Sequence, residues 1–335
     1  MRFTPFLILL VACEEYVNPA GPVEAGQHTC PGARVDDLFR DIDGTLWLGC
    51  GEAADGTGLH RSTDGGGSWE EVEGFETFRV SSISQPSDGL LYVAGTEVGG
   101  PHRVRSYDGS TVAPVFTSAN QLWNSFHVGT YVQQDTGLAI AESLTGAGMA
   151  VRQRAGATWQ DASPWSAGSY QMLDALDADG VLLGAGSTIT QPPTVFVQSQ
   201  GAAFDAYTLD DSFAGELWSI DHHQGLFAVG GVDQDADVGV VFATTGDPRD
   251  VGGWSSFRVD TGQSTWIRDV CVNRSRLVAV GAFSTRDTGL AYESTDAGRS
   301  WGPLDLPDDA PGLWSCWLDD DGLWMVGSDG FVATR

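Results

Sequence analysis

Three aspartates separated by single residues resemble the start of a metal-binding loop. They are Asp233, Asp235 and Asp237, and a glycine follows at position 239. Ca²⁺ takes roughly six to eight oxygen ligands, and closely spaced carboxylates supply several of them at once. The glycine falls one place later than in the common calcium loop, and the twelfth position of the run carries no glutamate. Calcium is therefore a hypothesis for this loop, chance in an acidic chain is the alternative, and we expect no other cofactor.

Four tryptophans recur at the start of the first strand in predicted blades three, five, six and seven, and they form a candidate binding face. Leu-Trp-Ser occurs at residues 217–219 and 313–315, and Leu-Trp-Asn occurs at residues 122–124. The complete set is Trp123, Trp218, Trp266 and Trp314. Indole rings stack on sugars and anchor peptides at interfaces. Packing between repeated units fits the same spacing, so both interpretations stay open.

These residues lie on a repeated unit of about 46 residues, a period typical of propellers and solenoids. Each unit has an apolar strand, a polar turn and a second strand that ends in small residues. The turns often contain Asp-Gly, which supplies the positive φ that a tight hairpin needs. The seven second strands lie at residues 45–49, 90–95, 138–141, 181–184, 226–230, 276–281 and 323–327.

The repeats predict an all-β fold, a seven-bladed β-propeller of four-stranded antiparallel blades over residues 35–335. A single four-stranded blade cannot bury both of its faces, whereas a closed ring of blades can. The seventh unit contains only three recognisable strands. We expect residues 13–34 to form a tether, of which the part from position 23 onward adds the missing strand and covers a sheet edge.

Two stretches share the pattern Ser-x-Asp-x-Gly-x-Ser-Trp, which resembles the Asp box, or bacterial neuraminidase repeat. The matching residues are Ser62, Asp64, Gly66, Ser68 and Trp69 in the first copy and Ser294, Asp296, Gly298, Ser300 and Trp301 in the second. An aspartate in such a turn can accept backbone N–H groups. The resemblance implies that this turn joins the two outer strands of a blade, away from the mouth where ligands bind. Both copies are therefore interpreted as fold residues.

Proteins that carry the Asp box include sialidases, sortilin-type receptors, some glucan hydrolases and photosystem assembly factors. The resemblance covers nearly all of the chain after its N-terminal segment. In a sialidase, an arginine cluster binds the substrate carboxylate. Arg40, Arg79 and Arg268 lie on predicted inner strands, so their convergence at one mouth would indicate such an enzyme; ion pairs with neighbouring aspartates are the alternative. The Arg-Ile-Pro tripeptide that sialidases often carry is absent.

The N-terminal segment resembles a bacterial lipoprotein signal peptide. Arg2 precedes a mostly apolar run, and residues 10–13, Leu-Val-Ala-Cys, resemble a lipobox in which Cys13 becomes the lipidated residue. The run is too short to span a bilayer. We therefore expect residues 1–12 to be a signal peptide and the protein to be exported. Because Glu14 rather than an aspartate follows the cysteine, anchoring at the outer membrane or cell surface is favoured.

The charge balance limits the partners. The formal net charge is −28, and every basic residue is an arginine. Such a surface repels phosphates, which argues against nucleic acid as a partner. It also repels anionic headgroups, so membrane contact is expected through the lipid anchor only.

Four cysteines remain after Cys13: Cys30, Cys50, Cys271 and Cys316. An even number in an exported chain is typical of disulfides, and proximity favours Cys30–Cys50 among the three possible pairings.

Together these features predict a non-enzymatic, extracytoplasmic lipoprotein that presents a propeller face to a protein or glycan ligand. Two alternatives stay open. A glycoside hydrolase, sialidase-like or glucanase-like, is suggested by the Asp-box resemblance, and a surface adhesin is suggested by export. With 45 acidic residues, a catalytic carboxylate pair cannot be chosen from the sequence.

Overall fold

The computed structural model describes residues 23, 29–30, 32–51, 58–85, 89–117, 127–130, 138–144, 148–155, 158–161, 170–178, 181–188, 192–198, 204–284 and 288–335 of the chain. Regular structure in these residues consists of β-strands and two one-turn 3-10 helices, Val251–Gly253 and Ser328–Gly330. The all-β class is therefore confirmed. Among the described residues, no helix has the length and apolar character needed to cross a membrane.

The strands pair mostly with their neighbours in the chain, as the hairpin turns between them require. The first sheet contains β1 (Val35–Arg40), β2 (Leu46–Cys50), β3 (Leu59–Ser62) and β4 (Glu70–Glu71). The second contains β5 (Phe78–Ser84), β6 (Leu91–Glu97), β7 (His102–Tyr107) and β8 (Val112–Thr117).

The middle of the chain forms one sheet of eight strands. Its first half contains β9 (His127–Thr130), β10 (Leu138–Leu144), β11 (Gly148–Ala155) and β12 (Thr158–Asp161). Its second half contains β13 (Tyr170–Ala178), β14 (Val181–Thr188), β15 (Pro193–Gln198) and β16 (Phe204–Thr208). The halves join where β9 and β13 pair in parallel, with Leu176 opposite Thr130.

Three further sheets complete the ring. The fourth contains β17 (Gly215–His223), β18 (Leu226–Asp233), β19 (Val238–Thr244) and β20 (Ser255–Arg258). The fifth contains β21 (Thr265–Asn273), β22 (Arg276–Phe283), β23 (Gly289–Ser294) and β24 (Gly302–Pro303). The sixth contains β25 (Leu313–Leu318), β26 (Leu323–Gly327) and β27 (Val332–Thr334).

The prediction of seven blades is wrong. The described strands form six sheets rather than seven, because the β9–β13 pairing merges the third and fourth sequence units into one sheet. Four of the six sheets have the predicted four antiparallel strands. The first strands of neighbouring sheets contact one another, and β25 contacts β1, so the sheets close into a propeller around a central channel.

The first strand of a sheet usually carries a β-bulge at the same place. The pairing register with the second strand skips one residue in β1, β5, β13, β17, β21 and β25. The six bulge residues, as we call the skipped positions, are Asp36, Ser81, Leu173, Trp218, Arg268 and Trp314. A bulge re-aims a side chain and bends its strand, which here displays one residue per strand at one end of the channel.

Glycine on the second strand makes room for the bulge. Gly95, Gly231 and Gly281 each pair with the residue just before it. A Cβ at any of the three would collide with a carbonyl oxygen of the first strand. The small residues at the ends of the predicted second strands therefore have a local cause.

The hydrophobic core lies between adjacent sheets. Leu46 and Leu48 of β2 pack against Val326 of β26 and Val332 of β27, so the first and last sheets share one cluster. Thr29 N–H donates to the Gly330 carbonyl at 2.9 Å. Residues before β1 thus contact the last sheet. The described part of this segment contains no strand, so the predicted closing strand stays a prediction.

Candidate binding site at the channel mouth

Three tryptophans and one arginine meet at one mouth of the channel. Trp218, Arg268 and Trp314 are bulge residues on neighbouring sheets, and Trp266 lies two residues before Arg268. The Arg268 guanidinium lies over the rings of Trp218, Trp266 and Trp314 at 4.3, 4.6 and 4.6 Å from their centroids. Arg34 also lies over Trp314, 4.0 Å from its ring centroid. We call Trp218, Trp266, Trp314 and Arg268 the tryptophan mouth.

Hydrogen bonds fix the orientation of the three indoles. Trp218 Nε1–H donates to Glu216 Oε2 at 3.0 Å, and Trp266 Nε1–H donates to Asp237 Oδ1 at 3.1 Å. Trp314 Nε1–H donates to Ser328 Oγ at 3.0 Å. All three rings remain partly exposed. Oriented, half-buried indoles offer rigid apolar area at little entropic cost, which is what a binding anchor requires.

The tryptophan mouth opens into two adjoining cavities. One has a volume of about 520 Å³ and includes Trp218, Arg268 and Trp314 in its lining. The other has about 420 Å³ and includes Trp218, Trp266 and Arg268. Both volumes fall within the range of small-ligand sites, roughly 300–1,000 Å³. Three of the four predicted tryptophans therefore share one site, while Trp123 lies outside the described residues.

The three arginines considered for a sialidase-like site do not converge. Arg40 lies at the other end of the channel, where its Nη1 pairs with Asp319 Oδ2 at 2.5 Å and Asp321 Oδ2 at 2.7 Å. Arg268 lies in the tryptophan mouth. Arg79 is not among the residues that line the cavity at either end. For Arg40, ion pairing with aspartates is what the structure shows.

A set of aspartates that the sequence analysis missed lines the channel beneath the mouth. Asp37, Asp174 and Asp269 directly follow the bulge residues of their strands, and Asp221 lies farther along β17. Each carboxylate accepts a backbone N–H from the first strand of the next sheet. The pairs are Asp37 with Ile83 N at 2.5 Å, Asp174 with Ile220 N at 2.9 Å, Asp269 with Cys316 N at 2.9 Å and Asp221 with Val272 N at 2.6 Å. We call these four residues the channel aspartates.

The inner edge of each sheet explains their role. A first strand faces the channel with unpaired N–H groups, and an unpaired buried N–H is costly. A carboxylate from the preceding sheet satisfies one of them. Ser82, Ser219 and Ser315 occupy the same repeat position as Asp37, Asp174 and Asp269, and Ser315 Oγ donates to Asp269 Oδ2 at 2.8 Å. This Asp-or-Ser position was the sequence signal for the channel lining.

Burial in the channel raises the pKa of each of these carboxyl groups. Burial, together with the charges of Asp269 and Asp174, raises the pKa of Asp37 to about 8, against the lowering effect of the Ile83 N–H. Burial likewise raises the pKa of Asp174 and of Asp221 to about 7 each. The pKa of Asp269 is also raised by burial, and hydrogen bonds led by that from Ser219 oppose the rise. All four side chains keep partial contact with channel solvent.

The aspartates of the two Asp boxes accept equivalent hydrogen bonds. Asp64 Oδ1 accepts Ser68 N–H at 2.8 Å, and Asp296 Oδ1 accepts Ser300 N–H at 2.9 Å. Hydrogen bonds from the Ser68 and Ser62 hydroxyls lower the pKa of Asp64 to about 2. These contacts agree with a turn-stabilising role, which stays a prediction.

One Asp box also contains a pattern seen around hydrolase nucleophiles. Residues 298–302 read Gly-x-Ser-x-Gly, with Ser300 at the centre. In hydrolases this pattern marks a sharp strand-to-helix turn. Here it lies between β23 and β24, and the Ser300 hydroxyl donates to Asp296 Oδ2 at 2.6 Å. The local structure is therefore an Asp-box turn between two strands.

In the candidate calcium loop, the three aspartates contact different partners. Asp233 is buried and forms an ion pair with Arg258. Asp235 Oδ2 accepts Ala214 N–H at 2.8 Å, and Asp237 Oδ1 accepts the Nε1–H of the Trp266 indole. No described group of three close metal-ligand atoms includes them. Calcium at this loop stays a prediction.

The four described cysteines form two disulfides. Cys30–Cys50 confirms the pairing favoured by proximity, with Cα atoms 6.3 Å apart. Cys271–Cys316 joins β21 to β25, the first strands of adjacent sheets, with Cα atoms 6.1 Å apart. One disulfide thus ties residues before β1 to the first sheet, and the other ties two sheets together beside the channel.

No protein-family model and no curated protein matches the chain. Several solved structures do match the chain. YCF48 bound to D1 peptide is 15% identical over 94% of this chain and 97% of that chain, with a TM-score of 0.63. Catalytically inactive virginiamycin B lyase from Staphylococcus aureus with quinupristin is 11% identical over 93% and 98%, with a TM-score of 0.64. A GH74 enzyme from Niastella koreensis is 13% identical over 92% of this chain and 53% of that chain, with a TM-score of 0.66.

At these identities the likeness shows the fold alone. The chain is similar to proteins that bind a peptide and to enzymes, and all three are β-propellers by structure. The class defined by fold and site is therefore a β-propeller with an aromatic mouth above a carboxylate-lined channel.

Proposed function

We propose that this protein is a non-enzymatic binding protein that recognises a protein ligand at the tryptophan mouth. The observation that carries the proposal is the convergence of three oriented indoles around Arg268 at the edge of two cavities. Large aromatic and arginine side chains supply most of the binding energy at protein interfaces. The dispersal of Arg40, Arg79 and Arg268 supports binding over sialidase-like hydrolysis.

The proposal includes export and lipid anchoring through Cys13. It rests on the lipobox-like residues 10–13 and is supported by two disulfides, which persist in oxidising compartments. An anchored propeller would present its mouth to partners in the envelope or at the surface. Metabolic labelling with a fatty-acid probe would test the anchor, since a Cys13→Ser variant must lose the label.

A crosslinking pull-down of the tagged protein from native membranes tests ligand recognition. We expect a stoichiometric protein partner with the wild-type chain and strong loss with a Trp218→Ala/Trp314→Ala double variant. Truncating an interface anchor typically costs about 2 kcal/mol or more, which is roughly a thirtyfold loss of affinity. Ile42→Ala is the matched control, because Ile42 is 84% exposed and lies in the β1–β2 turn, away from the mouth.

Each outcome of the pull-down decides something. Equal recovery of the partner by the double variant and the wild type would overturn the tryptophan mouth as the site. The absence of any reproducible protein partner would favour a glycan ligand, because indoles also stack on sugars. A glycan array would then separate glycan binding or adhesion from hydrolysis, which would release a product.

A further inference from the structure

The channel aspartates are half-buried carboxyl groups that form no ion pair with a described basic residue. No ion pair joins any described Lys, Arg or His to Asp37, Asp174, Asp221 or Asp269, although the chain forms such pairs elsewhere. The cavities from both ends of the channel share Asp37, Asp221 and Asp269 in their linings, so the carboxyl groups face one continuous passage. Carboxyl groups that face one confined passage repel one another once they ionise, and a cation among them relieves that repulsion.

A buried hydroxyl in the same passage has no partner either. Ser84 is 4% exposed and lines the cavity beneath the tryptophan mouth. Its Oγ has no hydrogen-bond partner among the described residues. A buried hydroxyl without a partner carries a free-energy cost. A ligand that donates hydrogen bonds inside the channel would satisfy it together with the carboxylates.

An inorganic cation fits this passage poorly. Ca²⁺ and Mg²⁺ need about six oxygen ligands at close range. The channel aspartates are spread around the passage. Among the described residues, no group of close metal-ligand atoms contains three of their oxygens. Their oxygens already accept backbone N–H groups of the next sheet. A longer cation that touches several carboxylates in turn fits better.

We propose that the channel binds an alkylammonium group, which enters past the tryptophan mouth and forms hydrogen bonds with the channel aspartates and Ser84. A lysine side chain of a protein ligand and a free diamine both carry this group. The apolar stem would lie beside the indoles of the tryptophan mouth, whose ring faces already hold the Arg268 guanidinium. The inference rests on the proposed function only in that the ligand enters through the tryptophan mouth.

The probe is 1,5-diaminopentane, titrated by calorimetry into the full-length protein in detergent at pH 8.5. At this pH the amines stay protonated. The channel aspartates, whose pKa values are raised, no longer hold all their protons. We expect saturable binding of one diamine per chain. The neutral analogue 1,5-pentanediol should not bind.

Charge-matched variants locate the site. Asp37→Asn with Asp269→Asn keeps an oxygen acceptor for Ile83 N–H and Cys316 N–H but removes two negative charges. Diamine affinity should fall by on the order of tenfold per carboxylate. Asp308→Asn with Asp309→Asn removes two charges from exposed loop residues and should leave affinity unchanged. Circular dichroism melts of both variants establish that they are folded.

Several results would overturn the proposal: no saturable binding, equal affinity in the channel variant and the wild type, or complete displacement of the diamine by millimolar CaCl₂. The last result would assign the channel to an inorganic cation. Because the probe needs no partner protein, its failure is separable from failure of the pull-down. Diamine binding without a protein partner would retain the channel site and point to a small amine as the ligand.

Discussion

Replacing one channel aspartate should change how stability depends on pH. Asp37→Asn substitutes a neutral side chain that still accepts the Ile83 N–H, so the contact between the first two sheets is kept. In the wild-type chain, burial raises the pKa of Asp37 to about 8 in the folded state. In the unfolded chain the same carboxyl group has an ordinary pKa of about 3.9.

The sign and size follow from the protons bound. Between pH 5 and pH 7 the folded wild type holds one proton on Asp37 that the unfolded chain does not. The stability contributed by this group is complete below the unfolded pKa and is lost as the pH rises through the folded pKa. The wild type therefore loses about 1.4 kcal/mol per pH unit at this site, or about 2.7 kcal/mol across the interval. Asp37→Asn loses none at this position, and the titrations of Asp174, Asp221 and Asp269 are common to both proteins.

The assay is urea unfolding of both proteins at pH 5, 6 and 7, followed by tryptophan fluorescence. The difference in unfolding free energy, variant minus wild type, should rise by about 2.7 kcal/mol from pH 5 to pH 7. Asp308→Asn, on an exposed loop, is the control and should show no such rise. A constant difference for Asp37→Asn would refute a protonated Asp37 and, with it, our account of the channel.

Three further substitutions test the scaffold by urea unfolding. Asp296→Ala removes the acceptor of the Ser300 and Arg299 N–H groups and should cost about 1–2 kcal/mol, whereas Asp296→Asn, which keeps one acceptor, should cost less. Gly281→Ala should cost about 1–3 kcal/mol, because its Cβ would collide with the Trp266 carbonyl opposite the bulge, and an effect near zero would contradict that geometry. Replacing Cys271 and Cys316 by serine opens a loop with a sequence separation of 45, so the loss should be about 4 kcal/mol by chain entropy and larger than for Cys30–Cys50, with a separation of 20.

The strands were predictable because their physical signals are local. Turn pairs such as Asp43-Gly44 and Gln224-Gly225 mark hairpins through positive φ: Gly44 has a φ of 86° and Gly225 a φ of 83°. The blade count was not predictable in the same way. It depends on the parallel contact of Leu176 with Thr130, which joins residues far apart in the chain and leaves no periodic signal.

The candidate site was partly predictable. The recurrence of tryptophan at the start of first strands placed Trp218, Trp266 and Trp314 together, although Trp266 lies two residues before its bulge. Spacing could not show whether the three rings pack between sheets or surround Arg268. The role of Asp37 and Asp269 was hidden, because a carboxylate among 45 acidic residues carries no signal until its neighbours are known. Alignment of the units on the bulge would have revealed the recurring Asp-or-Ser position.

The bulges also separate the scaffold from the part that recognises a ligand. At each bulge the strand pairing and, where present, the glycine opposite set the backbone path. Core packing therefore does not determine which residue type the bulge displays. The six described bulges already carry aspartate, serine, leucine, arginine and tryptophan. Evolution, or a designed library, can therefore alter specificity one position at a time while the ring stays folded, much as antibodies vary their loops on a fixed framework.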